Sequence, residues 1–255
     1  MKLFDTHAHY DDSQFDHDRD ELIASLPGQG VSLVLCPGCG MRSSRAVIAL
    51  AERFPFVYAA VGIHPHEADT MTAAELPALL DMAEHPKVKA VGEIGLDYHY
   101  DFAPRDTQLF CLRAQMELAK SAGLPVIVHD REAHEDTLRL LRAFPTVRGV
   151  VHCYSGSMES AKELLALGYY ISFTGVVTYK NARKALETAA WLPGERLLLE
   201  TDAPYLTPEP HRSHRNDSTY LRLTCETLAA LRGVSAEALA AQTRENGLAL
   251  FNIKE

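Results

Sequence analysis

Seven times along this chain a helix-ending signal is followed at once by an apolar run. The junctions are Gly30-Val31, Pro55-Phe56-Val57, Pro86-Lys87-Val88, Gly123-Leu124-Pro125, Pro145-Thr146-Val147, Gly168-Tyr169 and Pro193-Gly194. Seven junctions imply eight strands, expected over 3–9, 32–37, 57–63, 88–94, 125–130, 149–153, 169–174 and 197–201. Most of these runs are continuously apolar rather than alternating, the pattern of parallel strands covered by helices. Helical periodicity lies between them, clearest over 105–122, where Leu109, Leu112, Met116 and Ala119 recur; Thr72 and Glu75 have the spacing of a capping box. Strand and helix alternating eight times specify an α/β protein, a single (β/α)8 TIM barrel. An open doubly wound sheet would share the local pattern but would usually carry a glycine-rich loop after its first strand. His7-Ala8-His9-Tyr10-Asp11-Asp12 stands there instead.

The length of 255 residues matches one such barrel, so residues 1–255 are read as one domain. No apolar run reaches the roughly 18 residues that span a bilayer, and Met1-Lys2-Leu3-Phe4-Asp5 lacks a secretory signal's apolar region. Five cysteines in so long a chain make no disulfide framework, and a reducing, cytoplasmic setting away from membranes is expected. A formal net charge of −9 argues against broad electrostatic coating of duplex DNA. It does not exclude a site that grips one end of a strand, which needs only a few local cations and bound metal.

The polar residues that matter fall where the apolar runs stop. His7 and His9, two apart at the end of the first run, can face the barrel axis together. Glu93 interrupts Ala90-Val91-Gly92-Glu93-Ile94-Gly95, where an unpaired carboxylate is expensive to bury and a cation relieves the cost. Its two oxygens suit it to bridge two ions. His129 follows Pro125-Val126-Ile127-Val128, His152 follows Gly149-Val150-Val151, and Asp202 follows Leu197-Leu198-Leu199-Glu200-Thr201. Alone, each is ordinary strand-end polarity, or a buried histidine or carboxylate with a structural partner. Together, six nitrogen and oxygen donors at the C-terminal tips of five strands form a set suited to one or two divalent cations, at the end of a barrel where active sites lie.

Other signals carry less. Cys36-Pro37-Gly38-Cys39 has the spacing of a redox pair or half a zinc site, but no second such pair follows, and it is read as without a functional role. The acidic run from Asp11 to Glu21 is expected to open the first helix, where carboxylates suit the dipole.

Asp5-Thr6-His7-Ala8-His9, Gly62-Ile63-His64-Pro65-His66-Glu67-Ala68, Gly92-Glu93-Ile94-Gly95-Leu96-Asp97-Tyr98, Val128-His129, His152-Cys153-Tyr154-Ser155-Gly156 and Glu200-Thr201-Asp202-Ala203-Pro204-Tyr205-Leu206 resemble the successive signature blocks of the TatD family of metal-dependent deoxyribonucleases, within the amidohydrolase superfamily. The resemblance runs on to Thr243-Arg244-Glu245-Asn246-Gly247 and Leu250-Phe251. It implies a TIM barrel whose metals are held by His7, His9, Glu93, His129, His152 and Asp202, acting on DNA from the 3′ end. One block departs: where the family commonly shows Arg-Gly-x-x-Asn-Glu-Pro, this chain has Arg212-Ser213-His214-Arg215-Asn216-Asp217-Ser218.

The expectation is therefore a hydrolase that cleaves phosphodiester bonds by metal-activated water, with two divalent ions of zinc, magnesium or manganese. Asp202 would accept the proton of the attacking water and Glu93 would bridge the ions. His64, Arg131, Lys180, Arg212 and Arg215 are candidate phosphate contacts, and Tyr98, Tyr154 and Tyr205 candidate stacking surfaces. The substrate would be DNA ends or a small phosphoester, with no obligate protein partner. The same metal set could serve a small-molecule amidohydrolase or phosphoesterase, and a non-catalytic metal-binding barrel is the reading from another class.

Overall fold

The structure, a computed structural model, describes residues 1–72 and 74–254. All eight expected strands form one parallel sheet in sequence order: β1 Leu3–Asp5, β2 Val31–Pro37, β3 Val57–Val61, β4 Val88–Asp97, β5 Val126–Arg131, β6 Gly149–Val151, β7 Tyr170–Phe173 and β8 Leu197–Leu199. The helices that separate and cover them are α1 Arg19–Ser25, α2 Met41–Arg53, α3 Glu75–Ala83, α4 Arg105–Ala122, α5 His134–Arg142, α6 Met158–Ala166, α7 Arg183–Trp191, α8 Leu221–Arg232 and α9 Ala236–Leu250. No helix among the described residues is long and apolar enough to cross a membrane.

Most strands are shorter than the apolar runs suggest, because the chain leaves the sheet where it turns toward the barrel mouth. β1 stops at Asp5, not residue 9, and His7 and His9 flank a single bridge, Ala8 against Ala203. β4 is longer than expected and carries Gly95, Leu96 and Asp97 alongside β5. Gly95, at φ +152°, is required there: a Cβ would lie 1.9 Å from the His129 carbonyl oxygen. The acidic run does place Asp20 and Glu21 in the first turn of α1. Thr72 donates its backbone N–H to Glu75 at 2.8 Å, half of the expected capping box, and residue 73 between them lies outside the described residues.

Two apolar cores result. One lies between the sheet and its helices. The other fills the barrel's lower interior with Phe4, Leu33, Leu35, Ala60, Ala90, Ile127, Val150 and Leu198, and is plugged by Leu250, Phe251 and Ile253 from the end of α9. The upper interior is left to polar groups, which is what makes the mouth a site.

The seam between the first and last strands closes on hydrogen bonds. Thr6 N–H and Oγ1 donate to the Leu199 carbonyl at 3.2 and 3.0 Å, Asp202 N–H to His7 O at 2.9 Å, and His9 N–H to Ala203 O at 2.7 Å. Asp5, fully buried, clamps this seam. Its Oδ1 accepts from the backbone N–H of His7 (3.3 Å) and Thr201 (3.0 Å), and its Oδ2 from the hydroxyls of Thr201 and Ser218, each at 2.6 Å. Ser218 stands where the family motif has proline, and it uses both groups proline lacks: its N–H donates to Tyr10 Oη at 3.0 Å and its hydroxyl to Asp5.

Burial pushes the Asp5 carboxyl up to about 7, against hydrogen bonds from Ser218, Thr201 and His7 that pull it down. An unfolded carboxyl titrates near 3.8, so between the two values the folded protein holds the extra proton and stability falls as pH rises. Asp5→Ala, which strands two backbone donors, should cost about 3 kcal/mol or more. In urea unfolding of metal-free protein, the gap between wild type and Asp5→Ala should be wider at pH 5 than at pH 8. A pH-independent gap would remove Asp5 as the titrating group.

Candidate metal centre

Glu93, in the middle of β4, turns its carboxylate into the mouth and is 2% exposed. Oε2 faces His7 Nε2 at 3.2 Å and His9 Nε2 at 3.5 Å. Oε1 faces His152 Nε2 at 2.7 Å, His129 Nδ1 at 2.9 Å and His64 Nε2 at 3.4 Å. Asp202 Oδ1 joins the first group, 3.4 Å from His9 Nε2 and 3.7 Å from His7 Nε2. The structure thus brings together all six sequence-predicted donors in two groups that share Glu93. The potential ligand atoms of His7, His9 and Asp202 lie within 4.8 Å of one another, as do those of His7, Glu93 and His152. Nitrogen and oxygen donors at this spacing suit borderline-hard divalent ions.

The charge balance points the same way. Burial would push Glu93 toward its neutral form, but the imidazoles of His152, His64 and His7 hold it well below the usual carboxylate range. Asp202 is lowered too, with burial outweighed chiefly by His9. Burial opposes charge on His152, yet Glu93 and Glu200 hold it well above the usual imidazole range; Asp97 and Glu93 raise His129 in the same way. Without metal, protons on the imidazoles supply the positive charge these carboxylates demand. A divalent ion supplies that charge and displaces the protons, so the donor set fits a bound cation.

His64 differs from its neighbours. Its Nδ1 accepts the His66 backbone N–H at 3.1 Å, and burial drives the ring down to about 4, so it is neutral with its proton on Nε2. That nitrogen is a donor aimed into the mouth rather than a free lone pair. His64 is suited to donate to a substrate oxygen, and less to ligate metal.

Helix α4 fixes two of the strand ends. Buried Gln115 binds both backbone groups of Ile63, accepting from its N–H at 2.7 Å and donating to its carbonyl at 2.9 Å, which positions His64. Gln108, seven residues earlier on the same helix face, accepts from Asp97 N–H at 2.8 Å and donates to Asp97 O at 3.1 Å. Asp97 Oδ2 in turn lies 3.1 Å from His129 Nε2 and 2.8 Å from His66 Nε2. It holds His129 so that Nδ1 faces Glu93, as carboxylates behind metal-ligating histidines do.

Glu200 plays a similar part behind His152. Its Oε1 lies 3.4 Å from His152 Nδ1, close but without a well-formed hydrogen bond, while it accepts from Cys153 N–H at 2.6 Å. Cys153 and Asp202 adopt φ of 45° and 58°, left-handed backbone that non-glycine residues enter mainly where function constrains them.

Sequence reasoning missed Asp97, Glu200, His66 and Cys39. Cys39 Sγ lies 3.6 Å from His9 Nδ1, so the Cys36–Cys39 segment does border the site, through one sulfur rather than as a cysteine pair.

The expected substrate contacts divide. Arg131, Lys180 and Arg212 are exposed, with Arg131 over the Tyr100 ring at 4.7 Å and Arg212 over Tyr179 at 3.8 Å. Tyr205 is 49% exposed, its edge toward His9 at 6.4 Å and its hydroxyl donating to Asp12 at 2.8 Å. Arg215 does not fit the phosphate role: it makes two hydrogen bonds to Asp18 at 2.8 and 2.6 Å and covers Phe15, so its guanidinium is already used to pin the loop to the α1 region. Tyr154 does not fit either, being 4% exposed against Phe173 with its hydroxyl donating to Ser157 O. Tyr98 is tied to Asp136 at 2.7 Å beneath Arg105 and is a packing tyrosine.

A barrel with two facing donor groups that share a carboxylate has the make-up of a metal-dependent hydrolase acting on ester bonds. The chain belongs to the family of TatD related DNases, whose model matches residues 4–252. It is 40% identical over 253 residues to the uncharacterized metal-dependent hydrolase YabD of Bacillus subtilis, covering 98% of this chain and 99% of that one. It is 36% identical over 261 residues to the 3′-5′ ssDNA/RNA exonuclease TatD of Escherichia fergusonii, covering 98% and 99%. Among solved structures, the TatD homolog YJJV of Escherichia coli K12 superposes with a TM-score of 0.93 at 34% identity, covering 99% of this chain and 98% of that one. The E. coli phosphotriesterase homology protein, at 19% identity and a TM-score of 0.70, shares the fold.

Asp97→Asn should weaken the binding of a divalent ion by about 10- to 100-fold while the fold is retained by circular dichroism. Competition with a chelating indicator reads the affinities. An unchanged affinity would separate Asp97 from His129.

Proposed function

We propose that this protein is a 3′ to 5′ exonuclease acting on single-stranded DNA ends, with two divalent ions held by His7, His9, Asp202 and one oxygen of Glu93 on one side and by His129, His152 and the other oxygen of Glu93 on the other. The observation that carries this reading is the division of the Glu93 carboxylate, Oε2 toward His7 and His9 and Oε1 toward His129 and His152. Zinc, magnesium or manganese bound there would supply Lewis-acid polarisation of a phosphoryl oxygen and acidify water. The similarity to the E. fergusonii exonuclease supports the substrate and polarity.

The chain's own groups have distinct tasks in this reading. Asp202 has a side chain 16% exposed, against 3% for Glu93, so it is the carboxylate that can accept a proton from water entering the mouth. Glu93, enclosed by imidazoles, keeps its charge and sets the spacing of the donors. His64 donates Nε2–H to a non-bridging phosphoryl oxygen, which stabilises the charge that builds there as the phosphodiester breaks. Arg131 and Arg212 meet neighbouring phosphates. A few rim cations are enough for a ligand held by one end, despite a net charge of −9.

A 3′-labelled single-stranded oligonucleotide should release mononucleotides from the labelled end, and a chelator should stop the release. Asp202→Asn should keep the fold by circular dichroism and lose at least about 100-fold in turnover, the scale on which removing a general base acts. An unchanged rate would take Asp202 out of the mechanism. Turnover of amides, lactones or small phosphoesters with no cleavage of any oligonucleotide would favour the small-molecule hydrolase, and metal binding without any turnover the non-catalytic barrel.

A further inference from the structure

An exposed aromatic pair stands beside the mouth, outside the donor cluster. Tyr100 and Phe102, in segment 98–104 between β4 and α4, are 48% and 67% exposed. Their rings are stacked on each other, with centroids 5.3 Å apart and planes 17° from parallel. His66 sets its edge against both, 5.4 Å from Tyr100 and 4.8 Å from Phe102, and its ring lies 6.1 Å from that of His129. Arg131, two residues past His129 on β5, holds its guanidinium 4.7 Å from the Tyr100 centroid.

The pair is held rather than loose. Asp97 Oδ1 accepts the backbone N–H groups of His99 and Tyr100 at 3.0 and 2.9 Å. Asp97 Oδ2 binds His66 and His129, so one carboxylate fixes both the loop that presents the rings and an imidazole of the donor cluster. An apolar ring two-thirds in water gains by covering its open face, and a flat, rigid face next to an arginine and a phosphate-cleaving site matches one ligand chemistry: a nucleobase joined to a phosphate.

We propose that the Tyr100–Phe102 stack, with Arg131 over the Tyr100 ring and the Phe102 face open, is the platform on which an unpaired base stacks while the adjoining phosphodiester lies in the mouth between Glu93 and Asp202. The proposal rests on the nuclease reading above and gives that site its preference for single strands. A paired base inside a duplex already has both faces stacked and offers none to the platform; an unpaired one does. Stacking on a ring accepts every base, so the platform selects strandedness without selecting sequence.

The test compares kcat/KM for a single-stranded oligonucleotide with that for bis(p-nitrophenyl) phosphate, in metal-loaded wild type, Tyr100→Ala, Phe102→Ala and Phe102→Trp, with metal content measured in each. Each alanine change should lower the oligonucleotide value relative to the small ester by about 5- to 100-fold, mostly through KM, and Phe102→Trp should restore it. Unchanged ratios in both alanine variants, with wild type still degrading the oligonucleotide, would overturn the platform and leave the nuclease reading standing. Equal losses on both substrates, or lost metal, would overturn it as well, by showing that the rings only support the centre. A wild type that hydrolyses the small ester but degrades no oligonucleotide would overturn the nuclease reading, and the platform with it.

Discussion

A buried carboxylate that must stay charged organises this molecule's working end. Glu93 is almost sealed from water, and five imidazole rings approach it or the neighbouring Asp202 because uncompensated charge at that depth is too costly to keep. The geometry around it follows from that demand. Asp97 behind His129 and Glu200 behind His152 add negative charge to the far side of the rings, which strengthens them as donors toward the mouth. The barrel's lower half does the opposite work. Apolar side chains from most strands, and the plug from α9, exclude water there and leave the upper layer as the place where polar groups can collect.

The eight strands and the six donors were legible because each depends on a local signal. A parallel strand buried on both faces must be a continuous apolar run, and a polar side chain at its tip stands out against that run. Strand ends were read less well. β1 looked longer than it is because Thr6 to His9 run extended, yet bind β8 across the seam by scattered bonds rather than a ladder. β4 looked shorter because its last three residues include a glycine and an aspartate, both poor strand formers, which β5 and Gln108 hold in place.

Groups that act through long-range contacts were the ones missed. Nothing near Asp97 in sequence announces His129, and nothing near Cys39 announces His9, because those pairings exist only once separate strands converge. One trace was available: Gln108 and Gln115 sit seven apart on an otherwise apolar helix face, where a polar pair signals backbone groups needing partners. The rim was harder still. Arg215 and Tyr154 carry side chains apt for phosphate or base, and only their partners, Asp18 and Ser157, show that they are engaged elsewhere. The length of the segment 95–104 marks it as a rim loop that shapes the substrate site, but sequence does not single out Tyr100 and Phe102 within it, since only solvent exposure separates an open ring from a packing one.

The clamp at Asp5 joins residues 196 and 213 positions apart, and His7, His9 and Asp202 all hang from the same seam. Half of the donor cluster therefore exists only after the two ends of the sheet have met, a long-range contact with a high chain-closure cost. A growing polypeptide on the ribosome holds Glu93, His129 and His152 long before it holds Asp202. Its hydrolytic capacity is withheld until the segment that carries Asp202 and Ser218 has been made and has closed the seam.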